Sequence, residues 1–229
     1  MSVYSRENEY IALLSGKPHT VKELAEKLFI SEPTVRRDII HLQKKELLTC
    51  KRGVVTLKSN SPDKRIPLFV RSLERNEEKK AIARKAAGFV KDGDVVMLDA
   101  STTAMCIIPY LAELKNILVI TNGAKTALES ASMGIRTVST GGEMTLESFC
   151  YVGGDAEGIL RQYNADVAFF SCRGVSNGLA TDCSVLENSV RRIMIKNSKR
   201  AFLLCDKSKL DKTYLHTLCS LDEVELITD

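Results

Sequence analysis

No stretch of this chain approaches the ~18 consecutive apolar residues that a membrane-spanning helix requires, which argues against any span. The opening residues, Met1 to Asn8, are polar and charged and lack the apolar core of a secretory signal, so the expected setting is the cytoplasm. The seven cysteines (50, 106, 150, 172, 183, 205 and 219) are odd in number, scattered, and never spaced C-x-x-C. That spacing argues against a disulfide framework or a zinc site, and no metal or cofactor is expected. Free thiols buried in a reducing compartment fit better. Internal repeats and low-complexity tracts are also missing.

What is present is an ordinary globular composition. The chain has 229 residues, 44% hydrophobic and 27% charged, enough for a small domain joined to a larger one. Its net charge of +4 says less than the placement of that charge. Of 33 Lys/Arg and 29 Asp/Glu, 11 and 7 lie within residues 1–60, which leaves 22 of each sign in the rest. The whole positive excess sits in the first quarter and points to an anionic partner for that part alone.

Three helical patterns fill that quarter. The first runs from about Arg6 to Ser15 and ends in "SGKPH", where Gly16 and Pro18 disfavour continuation. The second opens with "TVKE", in which Thr20 can cap free N–H groups and Glu23 can reach back. Val21, Leu24, Ala25 and Leu28 then form an apolar stripe at helical spacing. After a tight "FIS" connection, the third helix starts with Ser31 as N-cap and Pro33 in its first turn. On this third helix Val35, Ile39 and Leu42 share one face. At about 100° per residue, Arg37 and Lys44 point away from that face and Arg36 flanks them. Asp38 lies nearer the core side and is expected to hold an Arg or a backbone group.

A helix, a short turn and a basic helix make the helix-turn-helix plan, whose second helix enters the major groove. Arg can donate twice to guanine or grip phosphate, and Ser/Thr hydroxyls serve either. "LLTCKRGVVTL" then alternates around a Gly turn as a β-wing, with Lys51 and Arg52 near phosphate. With Leu24-Ala25-Glu26 before it, "SEPTVRRDI" resembles the winged helix-turn-helix of DeoR-type bacterial repressors. Their signature contains S-x-x-T-[hydrophobic]-R-R-D-[hydrophobic], and all nine consecutive positions agree. Two places depart from the family pattern. Arg6 stands one position early, with Glu7 at the expected site, and the wing reads "KRGV" in place of H-G-G. The candidate DNA-binding residues are Thr20, Ser31, Glu32, Pro33, Thr34, Arg36, Arg37, His41, Lys44, Lys51 and Arg52. The partner they imply is an operator in double-stranded DNA.

"KSNSPDKRIP" is polar with two prolines, so the expected domains are a reading head over 1–58, a linker over 59–75 and a larger domain over 76–229. "ERNEEKKAIARKAAGFV" reads as a charged helix ending at "KDGD". Beyond it "VVMLD", "ILVIT", "IRTVST", "DVAFFS" and "RAFLLCD" read as strands, alternating with helical segments such as "TTAMCIIPYLAEL" and "SVLENSVRRIMIKN". That alternation predicts an α/β domain with a mostly parallel sheet covered by helices.

Ligands in such sheets bind at the carboxyl ends of the strands, where polar residues gather here. Asp99, Ser101, Thr102 and Thr103 follow the first strand and open a helix, an arrangement suited to phosphate. Thr121 and Asn122 end the next strand, and Gly141 and Gly142 the third. Arg173 and Gly174 follow the fourth, and Asp206, Lys207 and Lys209 the fifth. Each also has an ordinary structural use as a cap, turn or loop residue, and it is their convergence on one sheet edge that favours a pocket.

This half resembles the effector domain of the DeoR family through "DGDVVMLDASTT", "VITNG", "TGGEM", "GLATDCSVLENSVRRIM" and "LLCDKSKL", in that order. The resemblance implies a fold similar to ribose-5-phosphate isomerase and CoA transferases, and a phosphorylated sugar as effector. It implies that the Asp99–Thr103 loop holds phosphate while Thr121, Asn122, Gly141, Gly142, Arg173, Gly174, Glu187, Asp206 and Lys209 line the cavity. Two functions follow. One is a transcriptional repressor acting as a homodimer or homotetramer, since two half-sites need two linked readers. The other is a sugar-phosphate isomerase or CoA transferase-type enzyme in which Asp99, Glu187, Asp206 and Lys209 supply acid–base chemistry. His19, His41 and His216 all lie outside the pocket loops, and the reading head tips the choice to the repressor.

Overall fold

Helix α1 (Val3–Gly16) begins three residues earlier than the sequence pattern indicates and stops where Gly16 and Pro18 end it. The computed structural model of the protein describes residues 3–45, 47–57, 68–146 and 148–229. A two-residue strand β1 (His19–Thr20) leads into α2 (Val21–Leu28), whose start is a complete capping box. Glu23 N–H donates to Thr20 Oγ1 at 3.2 Å, and Thr20 N–H donates to Glu23 Oε2 at 2.7 Å. Phe29 ends α2 in the left-handed conformation at φ 54°, which turns the chain sharply. Helix α3 (Glu32–Lys44) starts at its N-cap Ser31, which accepts the Thr34 N–H. Strands β2 (Leu48–Lys51) and β3 (Val54–Leu57) pair antiparallel, and β1 adds to β3. Arg52 and Gly53 join them with φ of 51° and 79°, the two positive values that a tight hairpin of matching twist needs. Tyr10, Leu14, Leu24, Val35, Ile39, Leu42, Leu48 and Val55 pack as one core beneath these elements.

The stretch 59–75, expected as a linker, is described only in its second half. Residues 58–67 lie outside the described residues, but Leu68–Leu73 is a helix, α4, within a unit that extends over Met1–Glu74. Past Pro67 the segment "LFVRSL" contains no helix breaker, and Leu68 is 3% exposed. The second unit is Arg75–Asp229.

That second unit opens with α5 (Asn76–Ala87) and then winds a six-stranded parallel sheet. Its elements are β4 (Val95–Leu98), α6 (Thr102–Met105), α7 (Ile108–Leu111), β5 (Leu118–Thr121), α8 (Ala124–Ser132) and β6 (Arg136–Ser139). A small hairpin, β7 (Glu143–Met144) with β8 (Tyr151–Val152), precedes α9 (Gly153–Leu160) and β9 (Ala165–Ser171). Then come β10 (Gly174–Ser176), β11 (Leu179–Asp182), α10 (Val185–Lys196), β12 (Ser198–Leu204), β13 (His216–Ser220) and β14 (Glu225–Ile227). The main sheet runs β14-β12-β9-β4-β5-β6, with every pairing parallel.

All five strands expected from the sequence are in it, and β14 is an addition. The alternation along each strand sends Val96, Leu98, Val119, Phe169 and Phe202 to one face with Ile82, Ile107 and Leu111. Met97, Ile120 and Ala168 go to the other face with Leu160, Val190 and Met194. The order reverses between β4 and β9, the kind of switch point at whose carboxyl ends such sheets bind ligands.

Two further expectations change. "TTAMCIIPYLAEL" is two single turns, α6 and α7, because Pro109 has no N–H with which to continue the ladder. "SCRGVSNGLAT" is not an open loop but the β10–β11 hairpin, turned by Asn177 and Gly178 at φ 51° and 74° and covered by β13.

Candidate nucleic-acid interface and sensor site

The reading head is built around a buried ion pair. Arg6 Nε donates to Asp38 Oδ2 at 2.9 Å, Arg6 Nη2 to Asp38 Oδ1 at 3.1 Å, and the Tyr10 hydroxyl to Asp38 Oδ2 at 3.2 Å. Asp38 is 0% exposed, so a carboxylate in the middle of α3 is fastened to two residues of α1. Burial first, and then the Asp38 carboxylate, push the Tyr10 hydroxyl well above its ordinary pKa, which keeps it a donor. The Arg that sits one place off the family pattern thus serves as a strut between helices. The exposed Lys45–Glu7 pair ties the same two helices.

With its inner side fixed this way, α3 presents Pro33, Arg36, Arg37 and Lys44 to solvent. Arg36 Nη2 lies 3.5 Å from Glu32 Oε2, a weak exposed pair. The side chains of Arg37, Lys44, Lys51 and Arg52 make no hydrogen bond or ion pair with any described residue. Thr20, Ser31 and Thr34 are placed at helix starts, Thr20 in the capping box and Ser31 with its Oγ 2.9 Å from Thr34 Oγ1. His41 is half-buried on the flank of α3. Ile40, absent from the sequence-derived set, is 56% exposed among these cations.

At the carboxyl edge of the larger sheet, one residue that the sequence reading missed organises the rest. Arg191 on α10 is 5% exposed and donates from all three nitrogens. Nε reaches Asp99 Oδ2 at 2.9 Å, Nη1 reaches Asp182 Oδ2 at 3.0 Å and Asn188 Oδ1 at 3.3 Å, and Nη2 reaches Glu187 Oε2 at 3.1 Å. Burial opposes its charge, but Asp182, Asp99 and Glu187 together hold the guanidinium's pKa above its ordinary value. Asp99 also accepts the Ser101 N–H at 3.0 Å and the Ser171 N–H at 3.3 Å. Glu187 accepts the Ser148 hydroxyl at 3.0 Å. The only sequence signal was Glu187 four residues before Arg191 on a helix; Asp99 and Asp182 arrive through tertiary closure.

Within the Asp99–Thr103 loop expected to hold phosphate, the residues have distinct structural engagements. An acceptor-only carboxylate, 1% exposed and already bound by Arg191 and two backbone N–H groups, can shape the loop but cannot donate to an anion. Ser101 is committed as the N-cap of α6, accepting the Ala104 N–H at 3.2 Å, and Thr102 and Thr103 are buried beside it. Since α6 is a single turn of four residues, its dipole adds little.

The cations at the edge include Lys209 and Arg173, whose side chains are 23% and 21% exposed, and Arg75, whose Nε lies 3.8 Å from Asp206 Oδ1. Lys209 Nζ donates to Ser171 Oγ at 2.9 Å and lies 3.7 Å from Asp206 Oδ2. Arg173 Nε lies 3.9 Å from Asp182 Oδ1. Gly174 permits a close crossing, because a Cβ there would meet the backbone of Lys212. On the β5–β6 side, Thr121 Oγ1 accepts the Gly123 N–H and Asn122 Nδ2 donates to the Tyr151 carbonyl at 3.0 Å. Asn122 Oδ1, in a residue 3% exposed, has no hydrogen-bond partner among the described residues. Gly141 and Gly142 form the turn after β6.

A winged reading head with exposed cations, followed in one chain by an α/β unit with charged groups at its strand ends, is the build of a DNA-binding regulator with a sensor domain. Comparison with known proteins gives the same division. The DeoR-like helix-turn-helix domain matches residues 9–61, and the DeoR C terminal sensor domain matches residues 74–229. The HTH-type transcriptional regulator YulB of Bacillus subtilis is 34% identical over 235 residues, covering 100% of this chain and 90% of that protein. The lactose phosphotransferase system repressor of Staphylococcus aureus is 32% identical over 235 residues, covering 99% of this chain and 92% of that one. Among solved structures, eIF2B delta from Chaetomium thermophilum aligns with a TM-score of 0.52 at 16% identity, over 70% of this chain and 58% of that one, a likeness of fold alone.

The chain belongs to the DeoR family of transcriptional regulators. It is a DNA-binding regulator and not an enzyme. No helix among the described residues is long and apolar enough to cross a membrane.

Proposed function

We propose that this regulator represses a sugar or polyol utilisation operon, that α3 and the wing read its operator, and that a phosphorylated sugar at the carboxyl edge of the larger sheet sets DNA affinity. One observation carries the proposal: the two units differ in what their cations do. On the reading head Arg37, Lys44, Lys51 and Arg52 are exposed and have no side-chain partner among the described residues, the state in which cations release counterions on meeting a duplex. In the sensor unit Arg191 is fully engaged, while Lys209 and Arg173 stand at the rim of the same network, partly open.

In this reading Lys209 and Arg173 grip the phosphate, and the loop of Ser101, Thr102 and Thr103 closes beside it. Asn122 Oδ1 accepts a sugar hydroxyl, which would supply its missing partner. Thr121, Gly141, Gly142 and Gly174 shape the wall, and Asp99, Glu187 and Asp206 hold the donors in place. The relative whose name links it to lactose uptake supports sugar as the signal class. A homodimer or homotetramer presents two reading heads to two half-sites. The effector acts by favouring one arrangement of those heads over another.

Gel-shift titration of full-length protein on duplexes it selects from a random library, with and without a panel of sugar phosphates, tests the reading. Lys209→Met is expected to keep DNA affinity and lose the effector response. A variant that still responds to sugar phosphate as the unaltered chain does would overturn the assignment of the pocket.

A further inference from the structure

Past the first turn of α3, where Pro33 is exposed, one residue facing away from the core is neither charged nor polar. Ile40 is 56% exposed, whereas its neighbours Ile39 and Leu42 are 3% and 0%. An exposed aliphatic residue means nothing by itself, and Leu128 and Leu146 are more exposed still. The position of Ile40 is what separates it from them. It lies four residues after Arg36, three after Arg37 and four before Lys44, spacings that make side chains neighbours on one helix face.

Arg37 and Lys44 have no side-chain partner among the described residues, and Asp38 on the opposite side is locked to Arg6 and Tyr10, so α3 cannot roll to bury Ile40. From Arg36 to Ile40 the helix rises about 6 Å, little more than one turn, so a duplex that meets the arginines also meets this side chain. An anionic partner is selected by the surrounding charge, and the apolar feature that a duplex offers in its major groove is the C5 methyl of thymine.

We propose that Ile40 is a specificity-determining residue that packs against a thymine methyl in each half-site. This rests on α3 being the reading helix. Arg36 and Arg37 then supply affinity and guanine or phosphate contacts, while Ile40 distinguishes thymine from cytosine at a position the arginines do not read. The contact is one of dispersion and dehydration, so it carries no salt dependence of its own.

The test starts from the full-length protein and a library of random duplexes, from which bound sequences are selected and a preferred site derived. Each thymine of that site is then replaced singly by deoxyuridine, which removes only the methyl group. The unaltered protein is expected to bind about three- to fivefold more weakly at one thymine per half-site, the loss that follows from one buried methyl-sized group. Ile40→Ala, at an exposed helical position where folding is checked by circular dichroism, is expected to bind the thymine and uracil duplexes equally there, with an unchanged salt slope.

Indifference of the unaltered protein to every uracil substitution overturns the proposal, as does an Ile40→Ala variant that keeps the thymine preference. Arg37→Ala separates this failure from that of the reading helix. If it weakens binding while no uracil matters, α3 reads DNA and Ile40 does not. If it changes nothing, or selection yields no sequence preference, both assignments fall.

Discussion

Replacing Arg191 by methionine tests whether the sensor unit depends on its buried guanidinium. The substitution nearly conserves side-chain length and removes four hydrogen bonds, to Asp99, Asp182, Asn188 and Glu187. Three carboxylates that are 1%, 5% and 7% exposed then lose the guanidinium they share, and Asp182 keeps the longer contact with Arg173 at 3.9 Å. Breaking a buried ion pair by removing one partner costs about 3–5 kcal/mol, a large share of the ~5–15 kcal/mol that holds a domain folded.

Arg161 provides the internal comparison. It pairs with Glu157 at the same i,i+4 spacing and at a shorter distance, 2.8 Å against 3.1 Å for Arg191 and Glu187. Its side chain is 58% exposed against 7%. If burial and not bond length decides, Arg161→Met costs under about 1 kcal/mol. Urea unfolding of the full chain followed by far-ultraviolet circular dichroism measures both, with the sensor unit's transition read separately from that of the reading head. An Arg191→Met variant within about 1 kcal/mol of the unaltered chain would refute the reasoning, because buried carboxylates without their shared guanidinium would then be tolerated.

Other perturbations have equally definite outcomes. Arg37→Ala is expected to cost about 1–3 kcal/mol in specific DNA binding if this side chain reads a base, and gel-shift affinity measured against salt checks it. Phe29→Gly relieves a left-handed residue whose side chain is 94% exposed, so urea titration should find the reading head about 0.5–1 kcal/mol more stable, net of added unfolded-state entropy. Asp166 accepts from Lys199 Nζ at 2.7 Å and from the Val95 N–H at 2.9 Å, and these bonds, the Lys199 one first, hold its pKa below the ordinary value. Its stabilising effect is therefore full above the unfolded-state pKa and lost as pH falls through the lower folded value. The stability gap between the unaltered chain and Asp166→Ala should shrink across acid pH, and a gap independent of pH would contradict the assignment.

Much of the reading head was legible because its signals are local. The Thr20–Glu23 box, the Ser31 cap and the spacing of Val35, Ile39 and Leu42 each lie within a few residues, and the structure shows all of them. Asp38 was read as a buried structural partner for the same reason, although its partner Arg6 lies 32 positions away and was not foreseen. The parallel sheet was legible from its apolar runs. The sensor network was not, because Asp99, Asp182 and Arg191 come from a strand end, a hairpin and a helix that meet only when the sheet closes. The β10–β11 hairpin was missed although Asn177-Gly178 is a strong turn signal, because the polar residues around it were read as a pocket loop. Ile40 was passed over because an aliphatic residue on a helix is ordinarily assigned to the core.

The strand order has a consequence for biosynthesis. Asp99, just past β4, bonds to Ser171 at the end of β9, 72 positions later in the chain. Until the ribosome has released that later segment, β4 has a partner on one side only, and Val96, Met97 and Leu98, all 0% exposed in the finished sheet, border an open edge. The half-made sensor therefore passes through an interval as an incomplete template for neighbouring nascent chains. Slowing elongation within the α8–α9 stretch should lower the soluble yield, whereas slowing it after β9 has emerged should not.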